Sequence, residues 1–393
     1  MAFHDDDRLT RGGDTLRLLV SGGGTGGHVY PALTAVGALR RGLDGRALEV
    51  LWVGAHGSLE ARVAAAEGIE FAAVATGKLR RDRNPLKMLS AANLRDMCRV
   101  PLGVWQARSL VRSFRPDVVL STGGYVALPV GMAAHWCRRP LVVHEQTVRL
   151  GLANRLLARA ATTVAVSSAS TLDLLPGSAR RSAQVTGNPV RPSVLAGDGR
   201  KAVAALGLDG FDLTLPTVYV TGGAQGSAQI NSLVGEILPW LLERANVIHQ
   251  CGPAHADALK AGVEHLPPEL AGRYLVAGFV GSELPDVLAL AEVMISRSGA
   301  GTIAEITALG KAAVLIPLVS SAGNEQAHNA RHLADAGAAV ALCGTVTPED
   351  LRTALGPLLA DAGARAVVAE NAKQLGRPDA AELLAQVLLD AAG

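Results

Sequence analysis

Two Rossmann-like, doubly wound α/β domains facing a central cleft are predicted by three features of the sequence. Short apolar runs alternate with helical patterns from Leu16 onward, the alternation breaks once near residues 187–192, and it then restarts. Strands alternating with crossover helices imply a parallel sheet. Four of the strand ends hand over to glycine-rich turns, and open α/β sheets bind their ligands at such carboxyl ends.

In chain order, strands are predicted at 16–20, 47–53, 71–74, 117–120, 140–144 and 162–166, with a helix at 31–41 after the first. They make up an N-terminal domain over 16–190. Pro189, Pro192 and the Gly/Asp stretch after them read as a linker over 191–199. A second domain over 200–375 takes strands at 216–220, 247–251, 273–277, 292–296 and 313–317, with a helix at 225–242. The tail, 376–393, reads as a C-terminal helix packing back toward the first domain. Residues 1–15 are polar, lack the apolar core of a signal peptide, and are expected to form a mobile leader.

Composition narrows the function classes. The chain has 393 residues, 49% hydrophobic and 18% charged, so it carries ample material for packed cores. A net charge of +2 and 3% aromatic content argue against a nucleic-acid partner. Cys98, Cys137, Cys251 and Cys343 are far apart and form no CxxC pair, which disfavours structural zinc and reads as free cytosolic thiols. No apolar run reaches the roughly 18 residues that a membrane span needs.

The first turn, Ser21-Gly22-Gly23-Gly24-Thr25-Gly26-Gly27-His28, follows a strand and opens a helix. Glycines let a ligand approach the amides, and a helix start offers unpaired N–H groups to a diphosphate. Gly22, Gly24 and Gly27 spell G-x-G-x-x-G, but the second strand ends Trp52-Val53-Gly54-Ala55, with no carboxylate for a ribose, which disfavours NAD. A Walker A loop needs Lys-Ser/Thr where this chain has His28-Val29, which disfavours an ATPase. A ligand-free tight turn is the alternative to a diphosphate cradle. The helix dipole is expected to keep His28 neutral, able to take a proton from an attacking hydroxyl. The alternative is a histidine that merely caps or packs.

Three further turns share the design: Ser121-Thr122-Gly123-Gly124-Tyr125, Thr221-Gly222-Gly223-Ala224-Gln225-Gly226 and Arg297-Ser298-Gly299-Ala300-Gly301-Thr302. Glu305 lies about one turn past the last, where it can accept from ribose hydroxyls or simply complement the helix dipole. Asn324-Glu325-Gln326 opens the next helix with side chains suited to sugar hydroxyls.

Several motifs together resemble the MurG family of N-acetylglucosaminyltransferases, within glycosyltransferase family 28. They are GGTGGHV at 23–29, GGYVALP at 123–129, HEQ at 144–146, GNPVR at 187–191, GGAQG at 222–226, RSGAGTIAE at 297–305 and EQAHNA at 325–330. The resemblance implies a GT-B fold and no metal or other cofactor. It implies inverting transfer of GlcNAc from UDP-GlcNAc to the muramoyl C4 hydroxyl of an undecaprenyl-diphospho-MurNAc-pentapeptide (lipid I), giving lipid II.

On that likeness the backbone at Val280 holds the uracil, Glu305 the ribose, and Ser298, Gly299, Ala300, Gly301 and Thr302 face the diphosphate. Ala224 and Gln225 border the donor, Glu325 and Gln326 contact GlcNAc, and Arg191 approaches from the linker. Thr25, Gly26 and Gly27 meet the transferring sugar and the acceptor diphosphate, and His28 is the catalytic base. Thr147 stands where the family has Asn, and Ala224 where it has Ser. These departures keep another glycolipid or natural-product acceptor open. A UDP-GlcNAc 2-epimerase and a non-catalytic nucleotide-binding scaffold are the remaining alternatives.

A lipid-linked acceptor also implies peripheral binding to the cytoplasmic face of the cell membrane, with cell-wall synthesis proteins as further partners. Lys78, Arg80, Arg81, Arg83, Lys87, Arg95 and Arg99 are interleaved with Leu86, Met88, Leu89, Leu94, Met97 and Val100. Such a segment suits anionic headgroups; the alternative is an ordinary amphipathic helix with a solvated loop.

Overall fold

The computed structural model describes residues 15–43, 45–77 and 91–393, with the side chains of 91–98 and 322 outside that description. The expected leader therefore lies almost wholly outside the described residues, and so do Lys78 to Leu89 of the basic–apolar segment. The chain divides into two compact units. One ends at Pro189 and takes back Asp379–Gly393; the other is Val190–Pro378.

The first unit holds a seven-stranded, wholly parallel sheet in the order β3-β2-β1-β4-β5-β6-β7. Its strands are β1 Thr15–Gly22, β2 Ala47–Gly54, β3 Glu70–Ala73, β4 Val118–Gly123, β5 Leu141–Glu145, β6 Thr163–Val166 and β7 Gln184–Val185. Helices cover both faces, which is why the strands read as unbroken apolar runs. Along β1, Leu18 and Val20 enter one core and Leu19 the other, the period-two alternation of a strand buried on both sides.

The helix Ala380–Ala392 completes the first of these cores with Ala381, Leu384, Ala385, Val387 and Leu388. It packs beside the helix Gly26–Gly42, and Arg41 reaches Glu382 at 3.3 Å across the same contact.

The second unit repeats the plan with a six-stranded parallel sheet, order β10-β9-β8-β11-β12-β13. Its strands are β8 Thr217–Thr221, β9 Asn246–Gln250, β10 Tyr274–Ala277, β11 Val293–Ser296, β12 Ala312–Leu315 and β13 Val340–Ala341. The fold is thus two doubly wound α/β units.

Two local expectations need correction, and two strands are new. The first helix begins at Gly26, not Pro31, with Thr25 as its N-cap. The Thr122 hydroxyl donates to the His28 carbonyl at 2.8 Å and holds the glycine-rich start in place. The helix expected over 225–242 starts at Ala228, after the Ser227 hydroxyl has capped the Ile230 amide, and restarts at Leu238 beyond Ile237 because Pro239 cannot continue it. The strands β7 and β13 are two residues each, too short to show a period.

Candidate active site

The two sheets reverse direction of winding between β1 and β4 and between β8 and β11. Those are the topological switch points, where ligands of such sheets bind. The four glycine turns sit there in pairs: the first and second flank the switch in one unit, the third and fourth in the other.

In the first unit the turn is gripped from several sides. Trp52 Nε1 donates to the Gly22 carbonyl at 3.2 Å, and the Gly23 amide donates to Gly123 O at 3.4 Å. Glu60, from the helix Leu59–Ala66, accepts from the Gly24 amide at 3.2 Å. Thr25, Gly26 and Gly27 remain at least partly exposed beyond that grip, at the helix start.

His28 is half-buried, and its Nδ1 lies 3.2 Å from both the Gly23 carbonyl and Thr25 Oγ1. A carbonyl can only accept, so Nδ1 carries the proton and Nε2 keeps its lone pair. Nε2 faces Gly123, where a Cβ would lie 3.2 Å from it. Gly123 has φ +103°, which excludes other residues on two grounds. Burial holds the imidazole below its ordinary value near 6.5, against the raising effects of the Gly23 carbonyl and the Glu60 charge. His28 is therefore neutral at neutral pH, though burial, not the helix dipole, is the leading cause.

The HEQ segment is internal. His144 is fully buried; its Nε2 donates to Gly187 O at 2.9 Å and its Nδ1 accepts from Gln146 Nε2 at 3.1 Å. It fastens the GNPVR segment to β5. Glu145 accepts from Thr147, Gly151 and Asn154, and burial raises its pKa against those bonds. Thr147, the departure from the family pattern, spends its hydroxyl on Glu145 Oε1 and Arg149 O.

In the second unit, Glu305 projects from the helix Ala300–Leu309, which starts at the Gly299 N-cap. Burial raises its pKa, and Arg191 Nη2, 3.7 Å from Oε1, opposes the rise. Ala300, Gly301 and Thr302 line the helix start and are partly exposed, whereas Ser298 is buried and its hydroxyl donates to Gln326 O at 2.7 Å. Gln326 Oε1 accepts from the Leu318 amide at 2.9 Å, which leaves Nε2 to donate. Glu325 opens the same helix, Glu325–Asp335. Ala224 and Gln225 are exposed on the third turn.

Two residues organise this half: Gln250, which no sequence motif singles out, and Arg297, which the motifs include but give no role. Gln250, at the end of β9, donates to Thr221 Oγ1 and Gly223 O at 3.1 Å and accepts from the Val280 amide at 2.9 Å. It ties the third turn to Val280 and occupies that residue's N–H. Arg297 donates to Ser227 Oγ, Gln229 Oε1 and the carbonyls of Ile316 and Pro317, so this cation is spent on holding the loops. Among the described residues no cluster of three or more His, Cys, Asp or Glu is arranged to hold a metal ion.

Two family models match the chain: the glycosyltransferase family 28 N-terminal domain over residues 18–166 and its C-terminal domain over 217–384. The chain belongs to glycosyltransferase family 28. It is a glycosyltransferase, with the first and second turns in the family's N-terminal domain and the third and fourth in the C-terminal one.

Two relatives in the family are named UDP-N-acetylglucosamine–N-acetylmuramyl-(pentapeptide) pyrophosphoryl-undecaprenol N-acetylglucosamine transferase. That of Listeria monocytogenes is 34% identical, covering 95% of this chain and 99% of its own. That of Lactiplantibacillus plantarum is 35% identical, with the same coverage of 95% and 99%. The crystal structure of Acinetobacter baumannii MurG superposes with a TM-score of 0.73 at 26% identity, covering 95% of this chain and 99% of that one. A putative UDP-N-acetylglucosamine 2-epimerase from Listeria monocytogenes shares the fold, with a TM-score of 0.63 at 15% identity and coverage of 93% and 94%. The GT-B fold expected from the motifs is therefore the fold of this chain.

Proposed function

We propose that the enzyme transfers GlcNAc from UDP-GlcNAc to the muramoyl C4 hydroxyl of lipid I and so makes lipid II. The observation that carries this reading is the near-complete match to relatives named for that transfer, at 34% and 35% identity over 95% of the chain. In the step, the acceptor oxygen bonds to the anomeric carbon as the bond from that carbon to UDP breaks. The electron pair leaves with UDP, and the hydroxyl proton passes to His28 Nε2. The negative charge growing on UDP meets the amides at the start of the helix Ala300–Leu309.

The test is turnover of UDP-GlcNAc with a lipid I analogue, with UDP-Glc and UDP-GalNAc as controls. Transfer to a different glycolipid alone would replace the acceptor. UDP-ManNAc formed without acceptor would make the enzyme an epimerase, and UDP-GlcNAc bound without any turnover would make it a scaffold.

Glu305 is assigned to the ribose hydroxyls and Arg191 to the donor beside it. Glu305→Ala should weaken UDP binding by about 2 kcal/mol, roughly thirtyfold in Kd, the worth of hydrogen bonds to a charged group. Titration calorimetry with UDP reads this directly, and an unchanged Kd would remove Glu305 from the site.

Peripheral attachment to an anionic membrane surface follows from the lipid acceptor. On the helix Ala91–Phe114, Arg99, Leu102 and Trp105 are exposed at three-residue spacing, with Trp105 70% exposed. A cation and an exposed indole on one helix suit an anionic interface. No helix among the described residues is long and apolar enough to cross a membrane. Trp105→Ser is expected to weaken binding to phosphatidylglycerol-rich vesicles about tenfold. Co-sedimentation of the variant at wild-type level would count against this face.

A further inference from the structure

The first glycine turn rests on an internal carboxylate that the transfer step does not otherwise use. Glu60 is fully buried, and its two oxygens serve different amides: Oε2 accepts from Gly24 and Oε1 from Ala55, each at 3.2 Å. The packing leaves no room to vary. A Cβ on Gly23 would lie 2.4 Å from Glu60 Oε1, and one on Gly54 2.6 Å from its Cγ. Among the described residues no lysine or arginine forms an ion pair with it. A buried charge without a counterion is costly. Two amides alone do not demand it, since neutral acceptors satisfy amides throughout proteins.

The neighbourhood of His28 gives the charge a use. Thr25 and the Gly23 carbonyl meet Nδ1, Thr122 holds the His28 backbone, and Gly123 and Asn154 lie beside Nε2. Tyr125, against Gly24, is a phenol whose pKa burial raises further. Glu145 stands behind Asn154, with its oxygens taken by Thr147, Gly151 and Asn154. Burial lowers the His28 pKa most, and of these acidic groups it is Glu60 whose charge opposes that fall.

We propose that Glu60 is a positioning residue for the transfer: it pins the turn whose Gly23 carbonyl aims the imidazole, and it places a carboxylate behind the ring that becomes cationic as the acceptor loses its proton. The inference rests on His28 as the base. Imidazolium forms as the acceptor loses its proton, and in a half-buried site that cation is stabilised by a carboxylate on the far side of the turn. The end of β2 has no carboxylate of its own to hold a ribose; the one that reaches it comes from the next helix and has both oxygens committed to amides.

The experiment compares wild type, Glu60→Gln and Glu60→Asp. The carboxamide has one acceptor oxygen and no charge; the aspartate keeps the charge but is a carbon too short for both amides. The His28 ring is titrated by NMR on histidine-labelled protein, its signal assigned by its absence from His28→Ala, and kcat/KM is followed against pH. In Glu60→Gln the His28 titration should fall by about one unit. The acidic limb should move with it, and turnover at neutral pH should drop about tenfold with KM for UDP-GlcNAc unchanged. In Glu60→Asp the titration should stay within about half a unit of wild type while turnover falls.

An unmoved His28 titration in Glu60→Gln, or an equal fall in both variants, would overturn the role of the charge. Should Glu60→Gln not fold, Glu60→Asp carries the test, and wild-type turnover in it would overturn the positioning role. The titration is read on the ring itself, so it answers even if wild-type enzyme proves inactive with lipid I, which would instead sink the acceptor assignment.

Discussion

His28→Ala is expected to lower turnover by about 10²- to 10⁴-fold, the usual worth of a positioned general base, while leaving UDP binding at its wild-type level. The first half follows from the ring's placement. Nδ1 is committed to the Gly23 carbonyl, so Nε2 is the nitrogen with a free lone pair, and it faces the side that Gly123 keeps open. Burial holds the ring neutral at working pH, so no proton must be shed before it can act. The second half follows from the distribution of groups: those assigned to the nucleotide are Glu305, Val280 and the helix start at Ala300, all in the second unit, whereas His28 belongs to the first. Steady-state kinetics with a lipid I analogue and calorimetry with UDP separate the two. Unchanged turnover would remove the base assignment; a lost UDP affinity would move His28 to the donor.

A steep loss of stability in mild acid is the second large effect, and it comes from two histidines outside the chemistry. His144 in the first unit and His249 in the second are fully buried, and burial pushes each down to about 4 from its ordinary 6.5. Each is held as the neutral ring: His144 between Gly187 O and Gln146, His249 between Asn231 Oδ1 and the Tyr274 hydroxyl at 3.0 and 2.8 Å. Between pH 6.5 and 4 the unfolded chain binds a proton at each position and the folded chain does not. Each histidine thus contributes stability that is fully present above its unfolded pKa and lost as pH falls toward 4.

The loss is about 2 kcal/mol per histidine at pH 5 and about 3 kcal/mol at pH 4. Glu145 and Glu305, with folded pKa values raised by burial, work in the opposite direction and reduce the net change. Urea unfolding followed from pH 7 to pH 5 should show midpoints falling steadily in both units. A flat midpoint across that range would mean the rings accept protons within the fold.

Much of this could be read from the residues in order, and the reason is physical. A parallel strand covered on both faces must be apolar along its length, so β1, β2, β8 and β11 announce themselves. A turn that brings backbone close to a ligand must be glycine-rich, so the four turns do as well. The residues that hold those turns are another matter. Glu60 reaches Gly24 across 36 positions and Gln250 reaches Val280 across 30, through side-chain-to-amide bonds that leave no periodic trace. The start of the first helix was hidden for a related reason: Gly26 and Gly27 are poor helix formers, and the Thr122 bond that holds them comes from 94 residues away. The motif HEQ shows the limit of family likeness, since its histidine and its glutamine both face inward and bond to each other.

The return of the helix Ala380–Ala392 to the first unit sets an order of events during synthesis. Residues 379–393 leave the ribosome after the whole of Val190–Pro378, yet Leu384 and Leu388 belong to the core beneath the helix Gly26–Gly42. The unit made first is thus the one finished last. Until then the first core lacks Ala381, Leu384, Ala385, Val387 and Leu388, and a nascent chain at that stage offers chaperones apolar surface that the completed enzyme buries.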